Sequence, residues 1–298
     1  MQAMRIHQIT SHDQLFKNLL KAFFGEFLEA FVPEVHGWLE SDSIEFMDKE
    51  LIALQRRAGM TPRFVDLVAK VRCRGEDTFF LVHVEHQSKH DPDIGKRMLV
   101  YAALLNQEYG LPVVPVLVLS YDKPRKVCGQ EYIIEVRGRE YLRLNWHVVQ
   151  LNRLDWREYV KRPNPAAAAL MAKMGIRPED RVRVKLEITR LIATFQLDTK
   201  KMEIISGFVE TYLSLTAREE REYRKQAKAE HIEVDDMKVL LMGEREGLRK
   251  GLRQGRQEGR LEELRKAIAE VLEVRFGDVP YPVTEKIEYI DQEAKLRK

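Results

Sequence analysis

The sequence predicts an α/β body over residues 1–160, followed by an α-helical C-terminal region. Three observations carry that prediction. Residues 63–72 and 78–87 are two runs rich in β-branched and aromatic side chains, joined by the polar link Gly75-Glu76-Asp77. That is the pattern of an antiparallel hairpin. Residues 112–120 are apolar without alternation, as expected of a strand covered on both faces. Beyond the breakers Pro163-Asn164-Pro165 the composition turns helical.

The elements follow in order. Ser11, His12 and Asp13 offer N-terminal caps to a first helix. Leu15, Phe16, Leu19, Leu20, Phe23, Phe24, Phe27 and Leu28 then recur at helical spacing, and the helix is expected to end near Phe31, before Pro33. Residues 43–52 are a candidate first strand, and the hairpin comes next. A helix starts at Ile94, carries Met98, Tyr101, Leu104 and Leu105 on one face, and ends by Gly110. After the strand at 112–120, residues 131–137, 141–144 and 146–154 are shorter strand candidates. Helix, strand, hairpin, helix and strand in this order make a layered α/β arrangement. Helices are expected over 166–174, 178–196 and 200–215, with Pro178 suited to a first turn.

Length and composition set bounds. A chain of 298 residues holds one large domain or two modest ones. Apolar residues make up 44% and charged residues 33%, which describes a globular protein with an unusually charged portion. A net charge of +3 identifies no partner by itself. Cys73 and Cys128 lack metal-like spacing and are expected to be free thiols in a reducing compartment. No stretch reaches the ~20 apolar residues of a membrane helix. The N-terminal residues lack the apolar core of a secretory signal. The expected location is cytoplasmic.

Side chains on a strand alternate between faces. Glu85 and Gln87, which close the second hairpin run, therefore point to one side, with His86 pointing away. Asp66 interrupts the first run, and in the simplest register it comes beside them. Two carboxylates and a polar third group at strand ends can hold a divalent cation. Each of these residues alone is also compatible with an ordinary solvated strand end. His83, His86 and His90 are close in sequence, but His83 and His86 fall on opposite faces, which argues against zinc.

The spacing of Asp66 and Glu85-His86-Gln87 resembles the Asp…(Asp/Glu)-x-Lys signature of PD-(D/E)XK nucleases. The segments around Ser11-His12-Asp13, Phe64-Val65-Asp66, Val84-Glu85-His86-Gln87-Ser88 and Arg97-Met98-Leu99-Val100-Tyr101 are similar to the recombination-promoting nuclease (Rpn) family. Its members are also labelled YhgA-like putative transposases. The resemblance covers roughly residues 10–155 and continues more loosely to the C-terminus. It implies a restriction-endonuclease-like PD-(D/E)XK core and a DNA endonuclease activity that depends on Mg2+, with Mn2+ as an alternative.

Under that resemblance Asp66 and Glu85 bind the cation and the His86 carbonyl supplies a further oxygen. Gln87 stands where the family pattern often has Lys. Glutamine positions water but carries no charge, although Glu-x-Gln also occurs in the family. Asp13 either caps the first helix or delivers a third carboxylate, and Lys17 either faces the site or solvent. Arg97 and Tyr101 share a helix face. They occupy the place of a Gln-x-x-x-Tyr pair in nuclease relatives, where Arg97 either grips a phosphate or packs on the sheet. The competing expectation is a DNA-binding or scaffolding protein of the same fold with weak or no cleavage.

The C-terminal half divides by composition into a helical region over 161–216, a charged arm over 217–262 and a small helical tail over 263–298. Gly243, Gly247, Gly251, Gly255 and Gly259 recur every four residues. Each costs about 1 kcal/mol relative to alanine in a helix. The stripe fits close approach of a second backbone, hence homo-oligomerisation through residues 240–262. It also fits a solvated linker. Arg245, Arg249, Lys250, Arg253, Arg256 and Arg260 make the arm basic, suited either to DNA phosphates or to solvent.

Overall fold

The computed structural model describes residues 14–47 and 67–230, together with Ile268 and Leu272. The chain divides into two units, Met1–Val234 and Asp235–Lys298. In the second, Ile268 and Leu272 are helical. Asp13, Asp66 and the glycine stripe lie outside the described residues.

The first unit is a mixed α/β fold. Helix α1 is described over 14–22. A turn at Phe23 separates it from α2 (Phe24–Phe31), and α3 (Pro33–Trp38) follows. The expected single helix is thus interrupted at Phe23. Pro33 ends one helix and starts the next, because its missing N–H is harmless at a first helical position.

Five strands form one sheet in the order β1 (Glu45–Phe46), β2 (Leu67–Arg72), β3 (Phe79–Gln87), β4 (Val113–Leu119), β7 (His147–Gln150). β1, β2 and β3 pair antiparallel, whereas β3, β4 and β7 pair parallel. The β3-to-β4 crossover is helix α4 (Ile94–Tyr109), which ends at Gly110 in the left-handed region (φ 64°). Among the described residues β5 (Glu131–Val136) and β6 (Arg139–Asn145) pair only with each other, in a separate two-stranded ribbon.

β3 is the middle strand, and every residue after Phe79 is buried. That burial explains its nearly unbroken apolar run. On one face, Leu81 packs with Val68 and Leu105 of α4, and Leu117 and Leu119 pack with Met98 of α4. On the other, the His86 ring stacks on Phe16 of α1, with centroids 3.9 Å apart. Phe208 and Tyr212 meet Phe16 edge-on.

Past residue 155 the described chain is helical: α5 (Trp156–Val160), α6 (Pro165–Leu170), α7 (Arg181–Thr194), α8 (Thr199–Tyr212) and α9 (Ala217–Ala229). Asn164 caps α6 by accepting from the Ala167 amide at 3.0 Å. Its own amide donates to the Glu26 carbonyl of α2 at 2.9 Å. Asp198 caps α8, and Thr216 with Glu219 forms a reciprocal capping box on α9. The Thr189 and Tyr223 hydroxyls, 2.8 Å apart, join α7 to α9. Among the described residues no helix is long and apolar enough to cross a membrane. Cys73 and Cys128 are free thiols.

Candidate active site

The C-terminal end of β3 brings the chemistry together. His83, Glu85 and Gln87 share the face covered by α4, and His86 is on the opposite face, as period-two alternation requires. Glu85 is 0% exposed. Its Oε1 accepts from Gln87 Nε2 at 2.6 Å and from Arg97 Nη2 at 2.8 Å. Gln87 Nε2 also donates to the His86 carbonyl at 2.9 Å. Both partners of that amide are acceptors, so the –NH2 group must face them.

Arg97 bridges two carboxylates. It donates to Glu85 through Nη2 and to Asp91 through Nη1. Burial works against its charge, but the neighbouring Glu85 and the bond to Asp91 outweigh this and raise its pKa. Asp91 is itself fixed, since its Oδ1 accepts from the Asp93 amide at 2.9 Å where α4 begins. The α4 helix therefore serves as a rigid mount that holds a guanidinium against the buried carboxylate. Tyr101, one turn further on, is buried with its ring edge-on to His83, centroids 5.3 Å apart.

Four buried side-chain atoms in this cluster, Arg97 Nε among them, lack a hydrogen-bond partner among the described residues. Among the described residues Glu85 Oε2 has no hydrogen bond, and neither has either ring nitrogen of His83. His83 Nε2 lies 4.0 Å from Glu85 Oε2. Desolvation lowers the His83 pKa to about 4, with Glu85 opposing and Arg97 reinforcing the shift. At neutral pH the ring is uncharged, so the 4.0 Å approach is not an ion pair. On the other face desolvation, helped by Lys173, lowers the His86 pKa to about 3, and its Nε2 lies 2.8 Å from Ser120 Oγ.

The structure therefore assembles Glu85, Gln87, Arg97 and Tyr101 on one face of β3. The His86 ring is on the other, with Phe16, while its carbonyl is at the cluster. Lys17 is buried on α1. His90 is set apart against Tyr121, ring centroids 6.1 Å distant. Among the described residues no group of three or more His, Cys, Asp or Glu side chains is arranged to hold a metal ion. Two neighbours were not singled out from the sequence as part of this cluster. His83 shares the face of Glu85 by the same alternation that pairs Glu85 with Gln87. Asp91 grips Arg97 across a loop-to-helix junction, six residues away, a spacing that no helix or strand period marks.

A family model described as "Putative transposase, YhgA-like" matches residues 10–203. The chain belongs to this family. The matched span of this YhgA-like protein holds the entire five-stranded sheet, the ribbon and the Glu85 cluster. Membership points to a nuclease- or transposase-type role in DNA transactions. No curated protein and no solved structure matches the YhgA-like chain.

Proposed function

We propose that this protein is a divalent-metal-dependent DNA endonuclease with a PD-(D/E)XK core and its centre at Glu85. The observation that supports this best is the buried carboxylate at the end of the middle strand. One of its oxygens is held by Arg97 and Gln87, and the other has no hydrogen-bond partner among the described residues. An unsatisfied buried carboxylate oxygen costs stability unless something binds there. The mixed sheet, with its antiparallel meander, α4 crossover and parallel β4, supports the same reading at the level of an α/β fold.

A hard cation suits this donor set. Glu85 and Asp66 would hold it, with the His86 carbonyl as a further oxygen, and Asp13 is the candidate third carboxylate. Leu67 and Val84 are register partners, and the next residues along the sequence are Asp66 before one and Glu85 after the other. Mg2+ commonly uses one or two protein carboxylates and retains waters, and Mn2+ accepts the same ligands. Bound there, the cation would activate water and neutralise phosphate charge. Gln87 orients water beside Glu85, and Arg97 fixes Glu85; it would grip a phosphate only by exchanging its bond to Asp91 for one to the substrate. Tyr101 packs behind the site and Lys17 supplies charge from α1. The glycine-striped segment over 240–262 is proposed to join copies of the chain.

A second reading has its own observation. Glu85 is fully buried, and Arg97 and Asp91 already neutralise each other's charge beside it. A site locked in that state would bind DNA without cutting. Supercoiled plasmid incubated with the full-length protein separates the two. Nicking with Mg2+ and none with chelator supports the nuclease. DNA binding without nicking under either Mg2+ or Mn2+ supports the second reading.

A further inference from the structure

The β5–β6 ribbon plays no part in the cluster around Glu85, yet its construction is unusual. Among the described residues, four of the eight large apolar side chains left exposed lie on it: Ile134, Val136, Tyr141 and Leu142. Val136 is 56% and Tyr141 62% exposed. The strands join through Arg137-Gly138, with φ of 51° and 77°. A two-residue turn with both φ positive favours Asn-Gly or Gly-Gly. An arginine held there costs roughly 1–2 kcal/mol, against the Val136–Arg139 pairing that closes the turn. A non-glycine residue kept in that conformation at an exposed tip points to a function.

The turn itself carries two arginines, Arg137 and Arg139, with Glu135 and Glu140 on the strands beside them. Arg143 is taken up by Glu131 and Glu140, which braces the ribbon from within. That leaves Arg137 and Arg139 against Glu135. Neither arginine is in an ion pair among the described residues, and Arg139 lies over the Tyr141 ring, 5.5 Å from its centroid.

The root is firmly mounted. Tyr132 and Leu144 pack with Trp146, Met98 and Ile94, so the ribbon stands on the first turns of α4, the helix that carries Arg97. Gly95 permits this approach, since a Cβ there would come within 3.0 Å of Tyr132 Cδ2. Gln150 holds the loop that leads into β5, donating to the Lys126 carbonyl and accepting from the Cys128 amide.

We propose that the β5–β6 ribbon is a DNA-binding arm that inserts its Arg137–Arg139 tip and exposed apolar side chains into a groove of duplex DNA. The major groove admits a two-stranded ribbon, and a six-residue strand reaches about 20 Å. Arginine at the tip supplies phosphate or base-edge contacts, and Val136 and Tyr141 supply apolar contact with the groove. This inference rests on the reading of the protein as one that acts on DNA.

Fluorescence anisotropy of the full-length protein with a random-sequence 24-base-pair duplex, over a range of salt, tests it. Arg137→Ala/Arg139→Ala should weaken binding tenfold or more near 0.1 M salt and flatten the log Kd against log salt slope by about 2. Tyr141→Ser should weaken binding with the slope unchanged. Both variants should keep the parent's circular dichroism and melting temperature, because the altered side chains are exposed. If the parent binds DNA and the variants match it in affinity and slope, the arm proposal is overturned while the DNA reading stands. If the parent binds no duplex, the DNA reading itself fails and the proposal with it. Variants that dissociate into monomers in sedimentation while binding DNA normally would make the ribbon an interface between copies, which also overturns the proposal.

Discussion

Arg97 is the residue on which the electrostatics of the cluster depend. It is mostly buried and satisfies Glu85 and Asp91 together. Removing one partner of a buried pair leaves an uncompensated charge and costs about 3–5 kcal/mol. Arg97→Ala should therefore destabilise the fold by at least ~2 kcal/mol in urea unfolding, even though the residue belongs to the proposed active site. A variant as stable as the parent would show that the pair contributes little. For the same reason Glu85 is not the tolerant strand end that its sequence position implies, and Glu85→Gln tests its chemistry better than alanine does. His83 and His86 act in the opposite sense. Both are buried and neutral, with pKa values near 4 and 3 against about 6.5 when unfolded. The unfolded chain binds the extra protons. The stability each histidine contributes is complete above pH 6.5 and falls by about 1.4 kcal/mol per pH unit as pH drops toward those lower values. Replacing His86 by Gln should make stability less steep between pH 6 and 4.5 in metal-free buffer. An unchanged slope would contradict the burial argument.

At the scale of elements, helix α4 is the hub. One face covers β3 and presents Arg97 and Tyr101, and its first turn receives the ribbon. Gly95 sits at that second junction, with Tyr132 Cδ2 at 3.0 Å and Trp146 Cη2 at 3.3 Å from any added Cβ. Gly95→Val should destabilise by about 1–3 kcal/mol through overpacking, against the helix propensity it gains. A higher melting temperature would mean that the rings simply move aside. Asn164 is the matching junction between α6 and α2, and Asn164→Ala should cost about 1–2 kcal/mol, readable in the same melts. These junctions also mark the limit of what the sequence discloses. The hairpin, α4 and β4 were legible, because each has its own period and its own terminator, such as Gly110. The facing of Glu85 with Gln87 was legible for the same local reason. The interruption at Phe23 was not, since the apolar spacing continues through it. Nor was the shortness of β7. Residues 146–154 read as one strand, but the chain turns at Leu151–Arg153, where buried Asn152 donates to the carbonyls of Tyr121, Asp122 and Pro124. That is a tertiary reason. The ribbon's strands were visible in the sequence, whereas their separation from the main sheet was not.

At the scale of the whole molecule, a sheet that ends in a buried carboxylate and a ribbon with an arginine-bearing tip share one helix, and a glycine-striped segment lies outside the described residues. If that segment joins copies of the chain, truncation before Met242 should leave the first unit folded and convert an oligomer to a monomer in light scattering. A full-length chain that is already monomeric at micromolar concentration would remove that part of the account. The central claim is that Glu85 and Asp66 hold a cation that cuts DNA. Single-turnover plasmid nicking, with Mg2+ present and protein in excess, tests it most directly when the parent is compared with Glu85→Gln and Asp66→Asn. The account predicts nicking by the parent and a loss of at least about 100-fold in rate for each variant with the fold intact. Equal nicking by the parent and both variants would contradict it.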